Sequence, residues 1–178
     1  MPISGIVRFA LALQRPAGRV AGGPLLADPR RVPGTDLSLP CGARVRASAS
    51  WHRRERDPAR GFGLYLDPQW RPTWPAETIA WENLGLPLDF EDAARKIERA
   101  WERARAGELV EVGCQAGLGR TGTAIACMAI LSGVEPRDAV AWVRANYAVR
   151  AVETRLQEWW VLWFGARVRG EDPPPRPV

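Results

Sequence analysis

The sequence contains very little histidine, lysine and cysteine. His52 is the only histidine, and Lys96 is the only lysine among 25 basic residues. The three cysteines, Cys41, Cys114 and Cys127, are an odd number and lack the spacing that metal ligands show. The sequence therefore predicts no metal site.

Long apolar runs are missing as well. No run approaches the ~20 residues that a membrane-spanning helix requires, and the N-terminus lacks the charged-then-apolar layout of a signal peptide. We therefore expect no membrane partner.

With 178 residues, of which 46% are hydrophobic, the chain is long enough for one core. We expect one domain over residues 1–168, with a divergent part at 1–60, and a disordered proline-rich tail over 169–178.

The net charge is +5, and arginine carries nearly all of the positive charge. Such a charge suits a protein that binds anionic substrates, although it also fits a bias in codon usage. Basic clusters such as Arg53-Arg54 are interleaved with other residues and are typical of a solvated face. No nucleic-acid-binding module accompanies the charge, so nucleic acid is not an expected partner.

Hydrophobic patterning predicts an α/β chain. Strands are expected at Ile3–Leu13, Ala43–Ala49, Gly63–Leu66, Thr78–Trp81 and Leu109–Val112. Helices are expected from Asp89 to a stop at Gly107, over Thr121–Leu131, from Pro136 to about Asn146, and from Thr154 to about Phe164. The last helix carries an apolar stripe that predicts a core-facing side, formed by Leu156, Trp159, Trp160 and Trp163.

The most informative segment is residues 114–122, which read Cys-Gln-Ala-Gly-Leu-Gly-Arg-Thr-Gly. A strand leads into this segment and a helix leads out of it. Backbone N–H groups in such a loop all point inward, and the helix N-terminus adds the positive end of its dipole. The segment therefore predicts a cradle for a tetrahedral dianion, the phosphate loop (residues 114–120). Its phosphate-binding residues are expected to be Gln115, Ala116, Gly117, Leu118, Gly119 and Arg120.

The same loop is expected to activate the Cys114 sulfur. A free thiol has a pKa near ~8.5, which a helix N-terminus or a nearby cation lowers to roughly 3.5–7.5. Thr121 is placed to donate its hydroxyl proton toward the sulfur. The predicted reaction is in-line attack on phosphorus, which gives a phosphocysteine that water then hydrolyses. The alternative is a buried structural cysteine beside a glycine-rich turn. Since a nucleophilic thiol needs reducing conditions, the sequence also predicts a cytoplasmic protein.

Through this Cys-x5-Arg-Thr-Gly motif the chain resembles the cysteine-dependent protein tyrosine and dual-specificity phosphatases. The resemblance continues more weakly from Trp81 to Trp163. It implies a single-domain α/β fold with a central mixed sheet flanked by helices, and no cofactor. It assigns the role of nucleophile to Cys114 and that of phosphoryl-binding residue to Arg120. The expected partner is a phosphorylated protein or a small phosphomonoester.

The chain departs from the family pattern in the residue before the cysteine and at the general acid. Gly113 stands where the family usually has histidine, so the expected stabilisation of the thiolate is either weaker or arranged differently. The family's acid is an aspartate in a loop that reads Trp-Pro-Asp-x-Gly-x-Pro, whereas residues 81–87 here read Trp-Glu-Asn-Leu-Gly-Leu-Pro. Asn83 occupies the acid position, and an amide donates no proton to a leaving group. Glu82 and Asp89 are the nearby carboxylates, but Asp89 also has the position of a helix N-cap.

A third departure concerns the water-orienting loop. The family places a glutamine before a threonine there, whereas this chain has Glu153 before Thr154, with Gln157 three residues further on. A carboxylate at 153 can orient water and accept its proton. The Thr154 and Gln157 pair also predicts a capping box.

The motif leaves two main hypotheses open. The first is a phosphomonoester hydrolase that acts through Cys114, and the second is a pseudophosphatase that binds phosphorylated ligands with little turnover. Asn83 and Gly113 favour binding, whereas the intact Cys114, Arg120 and Thr121 favour catalysis. An arsenate reductase is a third option, but such an enzyme needs further redox cysteines near the loop.

Overall fold

The computed structural model describes residues 34–49, 61–70 and 72–178. These residues form one sheet and a set of helices. The strands are β1 (Thr35–Ser38), β2 (Arg44–Ala49), β3 (Phe62–Tyr65), β4 (Ala76–Thr78) and β5 (Val110–Cys114). The helices are α1 (Phe90–Arg105), α2 (Gly119–Leu131), α3 (Ala139–Asn146) and α4 (Arg155–Arg169), and a short 3₁₀ turn, Pro136–Asp138, precedes α3.

The sheet is mixed and has the strand order β1-β2-β5-β3-β4. β1 pairs antiparallel with β2, whereas β2, β5, β3 and β4 run parallel to their neighbours. β5 is central and all five of its residues are buried, as expected of an apolar strand in a parallel sheet. The phosphate loop therefore begins at the C-terminal edge of the sheet, where parallel α/β sheets bind ligands.

The two faces of β5 differ in chemistry. Val110 and Val112 are fully buried in the main core, against which α1 and α2 pack. Glu111 lies on the opposite face, where the hydroxyls of Ser48 and Tyr65 donate to its Oε1 at 2.9 and 3.0 Å. The strand is thus fixed by apolar packing on one side and by hydrogen bonds on the other.

Helix α2 runs through the centre of the molecule. Twelve of its 13 residues are buried, and α1, α3, α4 and β5 all pack against it. A helix that is apolar on all sides is stable only when it is enclosed in this way. Its N-terminus is therefore held firmly beneath the phosphate loop.

Most elements lie where the sequence predicted them, with four differences. The first is that β1 was not predicted. The predicted strand Thr78–Trp81 is wrong, because β4 covers Ala76–Thr78 and Trp81 forms only an isolated bridge with Pro87. The helix predicted from Pro136 begins instead as a 3₁₀ turn. Helix α4 extends beyond Phe164 to Arg169, where Gly170 ends it in a left-handed conformation.

Other predictions concern the ends of the chain and the basic clusters. The predicted strand Ile3–Leu13, His52 and the Arg53-Arg54 cluster lie outside the described residues. The disorder of the tail stays a prediction, and in the structure Trp159 Nε1 donates to the carbonyl of Pro174 at 2.8 Å. No helix in the described part of the chain is long and apolar enough to cross a membrane.

Candidate active site

The Cys114 side chain lies at the end of β5 and is only 2% exposed. Its sulfur accepts a hydrogen bond from the N–H of Gly117 at 3.2 Å. Gly117 has φ +76°, a left-handed conformation that favours glycine. The loop thus turns back over the sulfur and aims a backbone donor at it, as the sequence predicted for a phosphate cradle.

Arg120 is the second residue of α2 and is 5% exposed. Its Nη1 donates to the backbone carbonyl of Trp81 at 2.8 Å. Within the described residues, its guanidinium makes no ion pair with a carboxylate. A buried cation is costly unless it is paired, so this arrangement favours binding of an anion.

Tyr147, at the C-terminal end of α3, supports the phosphate loop from below. Its side chain is fully buried, and its hydroxyl donates to the carbonyl of Gly117. Burial, and secondarily the negative charge of Cys114, raise the pKa of Tyr147 above its ordinary value. Tyr147 therefore stays neutral and remains a donor to the loop. No sequence pattern predicts this contact, because the two residues are 30 positions apart.

The hydrogen bond predicted from Thr121 to the sulfur is not made. The Thr121 hydroxyl is buried and has no hydrogen-bond partner in the described part of the chain, whereas the sulfur accepts from the N–H of Gly117. The next hydroxyl in the helix, that of Thr123, donates to the carbonyl of Gly119 at 2.8 Å. Thr121 therefore has a free donor beside the site.

A cavity of about 200 Å³ opens above Arg120. Three segments meet there: the phosphate loop, the turn after β3 and the loop at residues 81–87. The lining residues are Asp67, Pro68, Gln69, Trp81, Glu82, Asn83, Gln115 and Arg120. Asn83 thus lies at the cavity where the resemblance placed the acid.

The two alternative carboxylates have other positions. Asp89 is the N-cap of α1 and accepts from the N–H of Asp92 at 2.9 Å, as the sequence predicted for a cap. Glu82 lines the cavity. Its Oε2 is close to Gly85, 3.7 Å from the position that a Cβ on this glycine would take, so the carboxylate folds back over its own loop. Leu84 has φ +58°, and this turn in the loop directs its side chain outward, where it is 49% exposed.

Glu153 and Gln157 reach the phosphate loop from the start of α4. A Cβ on Gly119 would collide with the Glu153 carboxylate and would lie 3.1 Å from Gln157 Oε1. Half of the predicted capping box forms at the same place, since Gln157 N–H donates to Thr154 Oγ1 at 3.2 Å. Gln157 Oε1 accepts from the N–H of Glu153, one residue before the cap, at 2.8 Å. The amide nitrogen of Gln157 is buried and has no partner in the described residues. The structure therefore brings Glu153 to the phosphate loop.

A larger cavity, of about 910 Å³, lies at the other end of the sheet, near Cys41, Arg44 and Leu109. It is separated from Cys114 by the length of β5, so volume alone does not locate the chemistry. Within residues 34–49, 61–70 and 72–178, no group of three or more His, Cys, Asp or Glu side chains is arranged to hold a metal ion.

The fold is that of the protein tyrosine and dual-specificity phosphatases. Tk-PTP in its active form matches with a TM-score of 0.60 and 19% identity, over 74% of this chain and 97% of that one. Kinase associated phosphatase matches with a TM-score of 0.61 and 13% identity, over 80% and 99% of the two chains. Human DUSP28 matches with a TM-score of 0.59 and 10% identity, over 76% and 99%. The sequence prediction of a central mixed sheet flanked by helices is confirmed.

Two archaeal proteins are similar in sequence. The chain is 34% identical to the uncharacterised protein MJECL20 of Methanocaldococcus jannaschii over 114 residues, which are 58% of this chain and 75% of the relative. It is 31% identical to the uncharacterised protein MJ0215 of the same organism over 118 residues, 61% and 72% of the two chains. The chain belongs to the family of these two proteins, and their names state no activity. No protein-family model matches it.

Proposed function

We propose that the chain hydrolyses phosphomonoesters through a phosphocysteine on Cys114. One juxtaposition carries the proposal. A buried thiol that accepts a loop N–H lies at the end of β5, and the loop that follows leads into α2, whose second residue is a buried arginine without a carboxylate partner in the described residues. Backbone donors, the helix dipole and the guanidinium all favour a phosphoryl dianion over the sulfur.

The reaction has two steps. In the first, the Cys114 thiolate attacks phosphorus, the S–P bond forms, and the P–O bond to the leaving group breaks. Arg120 and the loop N–H groups stabilise the charge on the equatorial oxygens. In the second, water attacks phosphorus and the S–P bond breaks, which releases inorganic phosphate and regenerates the thiolate. In this scheme Glu153, whose carboxylate lies close to Gly119, orients this water and accepts its proton.

Arg120 has a second role in this scheme. Its bond to the Trp81 carbonyl ties the loop at residues 81–87 to the phosphate loop. The guanidinium still has N–H groups that can bind phosphate oxygens after this bond is made, because an arginine has five donors. The substrate class is a phosphorylated protein or a small phosphomonoester, and the reaction uses no cofactor.

One observation favours a second function. Asn83 lines the cavity at the position where the family resemblance expects the acid. A site without a proton donor would retain phosphorylated ligands and turn them over slowly, because general acid catalysis contributes about 10²–10⁴-fold. The alternative is therefore a phosphate-binding pseudophosphatase.

Hydrolysis of para-nitrophenyl phosphate by the wild type and by Cys114→Ser separates these functions. We expect the wild type to turn over and the variant to lose all turnover, because a serine hydroxyl is a far weaker nucleophile than a thiolate. The variant should still bind inorganic phosphate, which a rise in melting temperature with phosphate concentration would show. Cys127→Ser is the matched control, because this thiol is buried in α2, away from the phosphate loop. Phosphate binding without turnover in the wild type would support the pseudophosphatase.

A further inference from the structure

Asp67 is a carboxylate at the site that neither the motif nor the family resemblance identifies. It follows directly on Leu66, whose N–H donates to the carbonyl of Gly113 at 2.8 Å. Gly113 precedes the nucleophile, so the chain leaves β3 immediately beside Cys114. Asp67 then lines the same cavity of about 200 Å³ as Arg120.

The local structure of Asp67 leaves half of its carboxylate free. Its Oδ1 accepts from the N–H of Gln69 at 3.1 Å, and its carbonyl accepts from the N–H of Trp70 at 3.1 Å, which together form a tight turn with Pro68 in second position. Within the described residues, Oδ2 has no hydrogen-bond partner. The turn therefore fixes the side chain and leaves one oxygen available to a substrate.

The other carboxylates near the site either make other contacts or lie away from the cavity. Asp89 caps α1, Glu82 folds over its own loop, and Glu153 contacts the phosphate loop at Gly119. Glu111 is buried on the far face of the sheet and accepts from Ser48 and Tyr65. Asp67 alone among them combines a fixed backbone, a free oxygen and a place at the Arg120 cavity.

We propose that Asp67 is the general acid of this site and supplies the proton that Asn83 lacks. The inference rests on the proposed phosphatase function. As the P–O bond breaks, the protonated Asp67 carboxyl gives its proton to the leaving-group oxygen, which departs as a neutral alcohol. The resulting carboxylate regains a proton from solvent. The acid thus comes from the loop after β3, and the loop after β4 contributes only Trp81, Glu82 and Asn83 to the cavity wall.

Asp67→Asn tests the proposal with little structural disturbance, because asparagine forms the same turn through its side-chain oxygen. We expect kcat/KM for an alkyl phosphate or phenyl phosphate to fall by about 10²–10⁴-fold, with a much smaller loss for para-nitrophenyl phosphate, whose leaving group needs no proton. Asp67→Glu keeps the carboxyl group and should preserve turnover of the alkyl phosphate.

Two variants serve as controls. Asp89→Asn should be silent, because asparagine caps a helix about as well as aspartate. Glu82→Gln should leave the dependence on leaving group unchanged. The proposal is overturned if Asp67→Asn lowers turnover of all substrates equally, if it has no effect, or if Glu82→Gln produces the loss instead. A wild type without Cys114-dependent turnover would contradict the phosphatase function as well, whereas an unaltered Asp67→Asn variant beside an active wild type contradicts the acid alone.

Discussion

At the residue scale, the site depends on how Gly117 is held. Its N–H donates to the Cys114 sulfur, and its carbonyl accepts from the Tyr147 hydroxyl. Both contacts are buried, so the glycine is fixed on two sides in its left-handed conformation. In this chain, which has Gly113 in place of the usual histidine, Tyr147 is the side chain that stabilises the loop around the thiol.

Tyr147→Phe should weaken both the fold and the reactivity of Cys114. Loss of the hydroxyl leaves the buried Gly117 carbonyl without its donor, which costs about 1–3 kcal/mol of unfolding free energy. Urea denaturation measures this loss. Alkylation of Cys114 by iodoacetamide at neutral pH should slow several-fold, because the loop N–H is no longer held against the sulfur.

The only other tyrosine provides the matched control. Tyr65 is equally buried, but its hydroxyl donates to Glu111 on the far face of the sheet. Tyr65→Phe should therefore lower stability and leave the alkylation rate of Cys114 unchanged. Equal alkylation rates in wild type and Tyr147→Phe would contradict the supporting role of Tyr147.

The raised pKa of Tyr147 also determines the direction in which its contribution to stability changes with pH. The neutral phenol is favoured in the folded state by burial and by the Cys114 charge. Its contribution to stability is complete below about pH 10, the ordinary tyrosine value, and is lost as pH rises from there toward the raised folded-state pKa. Alkaline unfolding should therefore be less steep in Tyr147→Phe than in the wild type.

At the element scale, two glycines of α2 set how closely the loops approach the helix. A Cβ on Gly119 would meet the Glu153 carboxylate and the Gln157 amide, which are ends of side chains. A Cβ on Gly122 would lie 2.7 Å from Ala151 Cβ and 3.0 Å from the backbone N of Val152. The close approach at Gly119 brings Glu153 and Gln157 to the phosphate loop, whereas the close approach at Gly122 packs α2 against the loop that carries Glu153.

Alanine at these two positions should therefore have different effects. Gly119→Ala should displace Glu153 and lower kcat by about tenfold or more, at the low end of a general-base contribution, with a change in unfolding free energy below about 1 kcal/mol. Gly122→Ala should cost about 1–3 kcal/mol through overpacking against the backbone. Urea midpoints and kcat, measured on both variants, check the contrast. A strongly destabilised Gly119→Ala with normal turnover would contradict this assignment.

The sequence predicted some elements better than others for identifiable reasons. β5 and α2 are almost entirely buried, and their largely apolar sequences made them recognisable. β1 and β4 are only four and three residues long and partly exposed, so β1 was not predicted and β4 was displaced toward Trp81. The indole of Trp81 donates to the Gly85 carbonyl at 2.9 Å within the loop, which a strand pattern does not reveal.

The candidate site was predictable to the extent that its residues are contiguous. Cys114, Arg120 and the glycines between them form one motif, and Glu153 was found through its position before Thr154, which resembles the family's water-orienting loop. Tyr147 and Asp67 join the site only through tertiary structure, from α3 and from the turn after β3. One general rule points to Asp67, because loops that follow parallel strands meet at the C-terminal edge of the sheet.

At the scale of the whole molecule, three loops converge on one edge of the sheet. The segments after β3, β4 and β5 line the cavity, and the start of α4 approaches from the side of Gly119. The chain as a whole carries a net charge of +5, which favours the approach of an anionic substrate. The fold thus brings the Arg120 guanidinium and the carboxylates of Asp67 and Glu82 around one small volume, beside the loop that begins at Cys114.

In the proposed mechanism, Cys114 becomes covalently phosphorylated during turnover. Rapid acid quench after mixing enzyme with an aryl phosphate, followed by peptide mass spectrometry, measures this directly. We expect one phosphoryl group on the peptide that contains Cys114, and a larger trapped fraction in Glu153→Gln, because this change slows hydrolysis of the intermediate. Release of inorganic phosphate with no phosphoryl group on Cys114 in either protein, or with the group on another residue, would contradict the account.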